Sequence, residues 1–350
     1  MSFFGLAYPT LIGSFPGKSH EKALSLIFEF TPEIPCWPQL PAYSNEGMLV
    51  QFSSGLPGFD PEKLLLDPES PGFEEEQLRF YEEYLAVKEG QKSISETIFS
   101  LKEEEAPGLF LLHHRVSSLS PRPYALKGQI TGPFTLATGL KTPDGKAVFY
   151  DPGLRDLVTK QVASKALFQV ELLKKHGLPV IIFLDEPALA GFGSSSFVGV
   201  SKAEVEAVLR EVSSEIEAAG GIPGVHVCAN TEWDLLISSG IKIINFDAFD
   251  YLDRFLLYRD DISSFLSSGG NVAWGIVPTL KVEDLKTARA QELSRRLKEA
   301  CESFDLPQKE ILKKSLLTPS CGMGTLPEEM APRALALLRE VYESLRAELS

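Results

Sequence analysis

Two thiols, an imidazole and two acids stand where strands of this chain should end. The segment Val225-His226-Val227-Cys228 sets His226 and Cys228 two residues apart, so in an extended strand both side chains leave the same face. Asp247 ends the apolar run Ile243-Ile244-Asn245-Phe246, and Cys321 follows Thr318-Pro319-Ser320. One His, two Cys and a carboxylate suit a tetrahedral Zn²⁺, with Zn–S near ~2.3 Å and Zn–N and Zn–O near ~2.0 to 2.2 Å. The spacing alone leaves a plainer reading open, because a buried Cys is often a small hydrophobe and a strand His is often hydrogen-bonded core. Cys301, on a helix face with Leu297, and Cys36, inside Pro35-Cys36-Trp37-Pro38, read as packing only. The pair Asp185-Glu186 follows Val180 to Leu184 and precedes Pro187, which cannot continue a ladder. An acid fixed there either receives a substrate ammonium group or serves as a helix N-terminal acid or the partner of a nearby Lys or Arg. His113-His114 reads as a cationic helix C-terminus.

The elements that must position these groups repeat from about residue 120 as a short apolar run, a polar loop and an amphipathic helix. Strands are expected at Leu126 to Thr131, Val180 to Leu184, Val225 to Cys228, Lys242 to Phe246, Val272 to Val277 and Leu316 to Pro319. Between them lie helices opened by Asp151-Pro152 and by a Ser201/Glu204 capping box, then helices near Glu232 to Ser238, Asp261 to Leu266 and Val282 to Cys301. A last helix carries Ala334, Leu337, Leu338, Val341 and Leu345. An early strand at Thr10 to Ser14 and a poorly marked one in the first hundred residues bring the count to about eight, the number that closes a (β/α)8 barrel. The expectation is one α/β barrel domain over 1–350. Residues 35–75, rich in Pro and Gly, should make an excursion over the barrel mouth, followed by a helix at Glu74 to Val87 with Leu78, Tyr81 and Leu85 aligned. A doubly wound sheet is the rival, but Ile12-Gly13-Ser14-Phe15-Pro16-Gly17 is no GxGxxG fingerprint.

The 350 residues carry 34 Lys+Arg against 48 Asp+Glu, a formal charge of −14. Such a balance argues against nucleic-acid and anionic-membrane partners, which need a basic footprint. Met1-Ser2-Phe3-Phe4-Gly5 shows no basic n-region, and Val180 to Leu184 is too short to span a bilayer. Four widely spaced cysteines fit a reducing, cytoplasmic compartment better than a disulfide scaffold, leaving thiols free as ligands.

Five ordered blocks carry a resemblance over most of the chain: Leu11-Ile12-Gly13-Ser14-Phe15-Pro16, Leu126-Lys127-Gly128-Gln129-Ile130-Thr131-Gly132-Pro133, Leu184-Asp185-Glu186-Pro187-Ala188-Leu189, His226-Val227-Cys228 and Thr318-Pro319-Ser320-Cys321-Gly322. In these the chain resembles the C-terminal catalytic domain of cobalamin-independent methionine synthase, within the barrels that include uroporphyrinogen decarboxylase and the corrinoid methyltransferases. The resemblance implies a (β/α)8 barrel, a catalytic zinc held by His, Cys, Glu and Cys, and methyl transfer to the thiol of homocysteine. It implies His226, Cys228 and Cys321 as zinc ligands, Ile12, Gly13 and Ser14 as the segment that binds the amino acid, and Asp185 as the carboxylate that meets its ammonium.

The departures point to chemistry of this chain's own. Asp247 stands where the family has its zinc Glu and reaches about one methylene less far. Met48-Leu49-Val50-Gln51-Phe52 matches a segment carrying a carboxylate for the amine, yet offers Val50 and Gln51. Val277 stands where folate-using members have a His that helps protonate the folate nitrogen. Methyl-tetrahydrofolate is a poor donor without that proton, whereas a methylcobalt donor needs none, so the expected donor is a methylated corrinoid on a partner protein. Another small thiol such as coenzyme M as acceptor, or a non-catalytic corrinoid- or tetrapyrrole-binding barrel, are the alternatives.

Overall fold

The six residues Val180–Asp185 are buried on both faces, the mark of a parallel strand covered by helices outside and by other strands' side chains inside. The computed structural model describes residues 7–349, so the expectation drawn from Met1 to Gly5 lies outside the described residues. Its strands are β1 (Tyr8–Pro9), β2 (Phe59–Asp60), β3 (Leu65–Leu66), β4 (Leu126–Thr131), β5 (Val180–Asp185), β6 (Ile222–Val227), β7 (Ile243–Phe246), β8 (Asn271–Val277) and β9 (Ser315–Pro319). Seven of them form one parallel sheet in the order β1-β9-β8-β7-β6-β5-β4, and β2 with β3 forms a separate antiparallel hairpin.

The sheet curls into a barrel because residues 34–39 fill the gap between β1 and β4. On one side Cys36 pairs with Lys127, and the Lys127 N–H donates to Pro35 O at 3.0 Å. On the other, Ser14 pairs with Gln39, whose N–H donates to Gly13 O at 3.0 Å and whose carbonyl accepts from Phe15 N at 2.8 Å. This is the poorly marked strand. Pro35 and Pro38 lack the N–H of a regular ladder, so it pairs in only two places. Residues 35–39 thus belong to the barrel wall, not to the excursion, which begins after them.

Helices follow the strands as the βα grammar requires. Asp151 caps Pro152–Lys174 by accepting from the N–H groups of Gly153 and Leu154, and the Ser201/Glu204 capping box opens Lys202–Ala218. Alternation along each strand divides the barrel interior into levels. Ile34, Ala125, Ile181, Phe183, Ile243, Ala273 and Leu316 pack together as a small apolar plug of their own. Further along the same strands, toward their C-terminal ends, stand the polar residues Gln129, Asn245, Thr318, Asp185 and His226, all buried. The working end of this barrel is polar before any ligand arrives.

Four expectations shift. The regular part of β1 is Tyr8–Pro9, earlier than Thr10 to Ser14, because the chain turns at Gly13 (φ +143°) to pair with Gln39. Strand β6 starts at Ile222, through Pro223-Gly224, which in sequence looks like a turn; a Cβ on Gly224 would lie 2.5 Å from the Phe183 ring, so glycine makes room for that side chain. The helix expected over Val282 to Cys301 is two, Val282–Thr287 and Ala290–Cys301, separated by extended residues Ala288 and Arg289, with Arg333 Nη2 donating to the Ala288 carbonyl at 3.1 Å. The helix Phe73–Lys88 buries Phe73 and Phe80, whereas Leu78 and Leu85 of the supposed inner face are exposed.

The helix Pro107–Arg115 ends in His113 and His114 as expected, but His113 is not the cation expected there: its Nδ1 lies 2.9 Å from Nε2 of His176, just beyond the helix Pro152–Lys174. Burial holds both rings below their ordinary 6.5, aided at His113 by His176, His114 and Lys175 and at His176 by Arg122. The folded state therefore keeps the rings neutral while the unfolded chain takes up protons, so stability present above pH ~6.5 falls as pH drops below it. Other buried groups titrate in the same window, so the readout is the difference: from pH 7.5 to 5.5 the melting temperature of wild type should fall more, or rise less, than that of His176→Asn, and an equal slope in both would contradict this linkage.

Candidate metal centre at the barrel mouth

The register of the parallel strands sets the site. Thr131 pairs with Asp185, Asp185 with His226, and His226 with Asn245, so four inward side chains from β4, β5, β6 and β7 stand in one row. Cys228 is the next inward position after His226, one residue beyond β6, and Cys321 lies two residues beyond β9. The ligating atoms of His226, Cys228 and Cys321 all lie within 4.8 Å of one another. Ligands around a tetrahedral zinc stand ~3.3 to 3.8 Å apart given its bond lengths, so a small contraction would bring the three into coordination.

His226 is held in the tautomer a metal needs. Asn245 Nδ2 donates to Ala273 O and to Thr318 Oγ1, each at 2.8 Å, which turns Oδ1 toward His226 Nδ1 at 2.5 Å. That oxygen accepts the Nδ1 proton. The lone pair is left on Nε2, which is buried and has no hydrogen-bond partner. Outer hydrogen bonds of this kind fix metal-binding histidines generally. Asn245 escaped the sequence reading, although a polar residue at the inward position of an otherwise apolar strand is the signal that points to it.

The thiols are unequal. Cys321 beside it, and His226 after that, draw Cys228 well below the usual thiol range against the opposing effect of burial, while Cys321 is pushed up. His226 is raised: burial opposes, but Cys228 and Asp185 outweigh it. The cluster thus already favours a thiolate. Cys36 and Cys301 are buried, burial pushing them up to about 11 and about 12, in keeping with packing.

Asp185 and Glu186 divide the two roles their sequence left open. Glu186 accepts from Phe134 N at 2.9 Å and from Thr135 N at 2.7 Å and Oγ1 at 2.6 Å, and so caps the helix Pro133–Gly139; burial pushes it up to about 7 against those bonds. Asp185 faces the cavity instead. Its Oδ1 is buried without a partner, and burial pushes it up to about 6 against the pull of His226 and Lys127.

A cavity of about 310 Å³ opens beside the cluster, walled by Ile12, Ser14, Asp185, His226, Cys228 and Cys321. Gly13 does not line it: a Cβ there would meet Gln129 at 2.5 Å, so it serves as the bend that presents its neighbours. Lys127 Nζ, buried inside the barrel, donates to Ile12 O at 2.7 Å and steadies the same segment.

Two expected residues stand elsewhere. Asp247 is not among the mutually close ligand atoms: its Oδ1 accepts from Phe249 N and Asp250 N at 2.9 Å each, closing the turn after β7, while Oδ2 is buried without a partner and burial pushes the group up to about 6. A side chain this short meets its own loop's N–H groups first. Gln51 does not line the cavity either, since its amide accepts from Gln39 Nε2 at 2.6 Å and donates to Glu105 O at 2.9 Å. The carboxylate the excursion does bring to the cavity is Glu46, unforeseen from sequence, which accepts from Leu40 N and lies beside His20 Nε2, each at 2.8 Å. Val277 is fully buried in the apolar core.

No family profile matches this chain, and no curated protein sequence does. Among solved structures it is similar to the catalytic domain of the Bacillus sp. JAMB-750 GH26 endo-β-1,4-mannanase, at 13% identity over 97% of this chain and 93% of that one, with a TM-score of 0.46. It is also similar to the GH113 β-mannanase AaManA from Alicyclobacillus acidocaldarius, solved in complex with ManMIm, at 10% identity over 63% and 72% of the two chains and a TM-score of 0.33. Likenesses this distant carry no argument about chemistry, and the fold assignment rests on the strand pairing described above. Among the described residues no helix is long and apolar enough to cross a membrane.

Because Asn245 fixes the His226 lone pair, Asn245→Leu should weaken zinc binding about 10- to 100-fold. Asn245→Asp, which keeps an acceptor toward Nδ1, should lose much less. Competition with a chromophoric chelator measures both, and equal affinities in wild type and Asn245→Leu would show that the tautomer is not set here.

Proposed function

We propose that this protein is a zinc-dependent methyltransferase that methylates the thiol of homocysteine, taking the methyl group from a methylated corrinoid carried by a partner protein. One observation carries the reading: His226 Nε2, buried and unpartnered, together with the thiols of Cys228 and Cys321 within 4.8 Å. An orphaned buried lone pair is costly unless something fills its place, and an imidazole with two sulfurs is a donor set that suits zinc. Zinc held there supplies the charge that ionises an incoming thiol near neutral pH.

The chain's own residues account for the rest. Asp185 Oδ1 offers a buried acceptor to the ammonium group of an amino-acid thiol, and Ile12 and Ser14 wall the same cavity. Held between them, the sulfur faces the mouth, and the bond from sulfur to the methyl forms as the bond from methyl to donor breaks. At about 310 Å³ the cavity suits a small acceptor, so a macrocyclic donor would remain outside, at the mouth. The choice of donor rests on the resemblance, in which Val277 stands where folate-using members have a His to protonate the leaving nitrogen.

Purified zinc-loaded protein should methylate homocysteine with methylcobalamin and not with methyl-tetrahydrofolate, and should favour homocysteine over coenzyme M in a thiol panel. Cys228→Ser and Cys321→Ser should each lose zinc and activity together. Robust turnover of methyl-tetrahydrofolate would overturn the donor assignment, and full activity of zinc-free Cys321→Ser would overturn the mechanism.

A further inference from the structure

Cys321 has a difficulty that His226 does not share. His226 belongs to a strand, where ladder hydrogen bonds fix its backbone, whereas Cys321 lies beyond β9 in Ser320-Cys321-Gly322-Met323-Gly324, a segment with two glycines. A ligand on so free a backbone must be fixed by something else. The sheet holds only its first residue, through Ser320 N donating to Val277 O at 2.8 Å.

We infer that Thr279 is the positioning residue for Cys321, its hydroxyl setting the backbone from which the sulfur reaches the metal site. Thr279 Oγ1 accepts from Cys321 N at 3.1 Å and donates to Cys321 O at 3.1 Å, so one hydroxyl satisfies both backbone groups of the same residue. Thr279 N donates to Ser320 Oγ at 3.2 Å, one residue earlier. Thr279 and Ser320 are both almost wholly buried, which strengthens these bonds relative to exposed ones. On the far side of Cys321 the segment is gripped again: Met323 N donates to Ser14 O at 2.9 Å and Gly324 N to Ser14 Oγ at 3.4 Å. Gly322 fits between because it has no Cβ, which would stand 2.0 Å from Ser14 Oγ. Of the two grips, only the Thr279 hydroxyl holds the backbone of Cys321 itself.

The inference rests on the reading of His226, Cys228 and Cys321 as metal ligands, and its test separates the two. Zinc affinity of the purified full chain is measured by chelator competition, with the melting temperature of the metal-free protein recorded beside it. Thr279→Val keeps the volume and deletes the hydroxyl, and should weaken zinc binding about 10- to 100-fold, the usual cost of losing a group that orients a ligand. Thr279→Ser restores the hydroxyl and should restore affinity. If Thr279→Val does not fold, Thr279→Ala, which leaves room for a water, takes its place with the same expected direction. Wild-type affinity in the valine or alanine variant would overturn the inference while leaving the metal site standing, as would a lowered metal-free melting temperature with affinity unchanged. A wild-type chain that binds no zinc would bring down the site and the inference together.

Discussion

A lone pair with nowhere to go governs this mouth. Asn245, its amide hydrogens spent on Ala273 and Thr318, obliges His226 to carry a proton on Nδ1, and Nε2 then faces inward beside two sulfurs with no partner at hydrogen-bond distance. Buried acceptors are rarely left so, because each costs on the order of 1 to 3 kcal/mol. Asp185, whose Oδ1 is likewise a buried acceptor without a partner, lines the same cavity. One invites a metal and the other an ammonium group, and a thiol-bearing amino acid unites the two demands in one ligand.

The rest of the fold can be understood as what makes such a mouth tolerable. An apolar plug of Ile181, Phe183, Ile243, Ala273 and Leu316 lets the barrel pack as a core while its C-terminal end stays polar. Lys127, buried inside the barrel with its own pKa lowered by that burial, still favours the ionised form of Asp185 and steadies the Ile12 carbonyl at the same time. Two different kinds of backbone meet at the cluster. Strand β6 delivers His226 on ladder bonds and Cys228 one residue past its end, and a glycine-containing loop delivers Cys321 on side-chain bonds.

The parts that were legible in the sequence are those fixed by local periodicity. Alternation placed His226 and Cys228 on one face, and the end of an apolar run placed Cys321 near them, because strand ends of a barrel converge wherever the strands run parallel. Asp247 sits at an equally good strand end, yet its short side chain is taken by the N–H groups of Phe249 and Asp250, a choice made by the turn and invisible in a list of residue types. Gln51, Glu46 and Gln39 lie in or beside an excursion without period, where only the folded path decides which side chain meets the cavity. Asn245 and Thr279 act across strands, on His226 and Cys321 respectively, so their roles depend on register between segments 19 and 42 positions apart in sequence. Residues 34–39 were hidden as a strand by their own prolines.

All of this requires that His226, Cys228 and Cys321 close around one ion. X-ray absorption at the zinc edge of the loaded wild-type protein tests it most directly. The expected spectrum shows about one zinc per chain with two sulfur scatterers near ~2.3 Å and at least one imidazole nitrogen near ~2.0 to 2.1 Å. A shell of oxygen and nitrogen alone, with no sulfur, would contradict it.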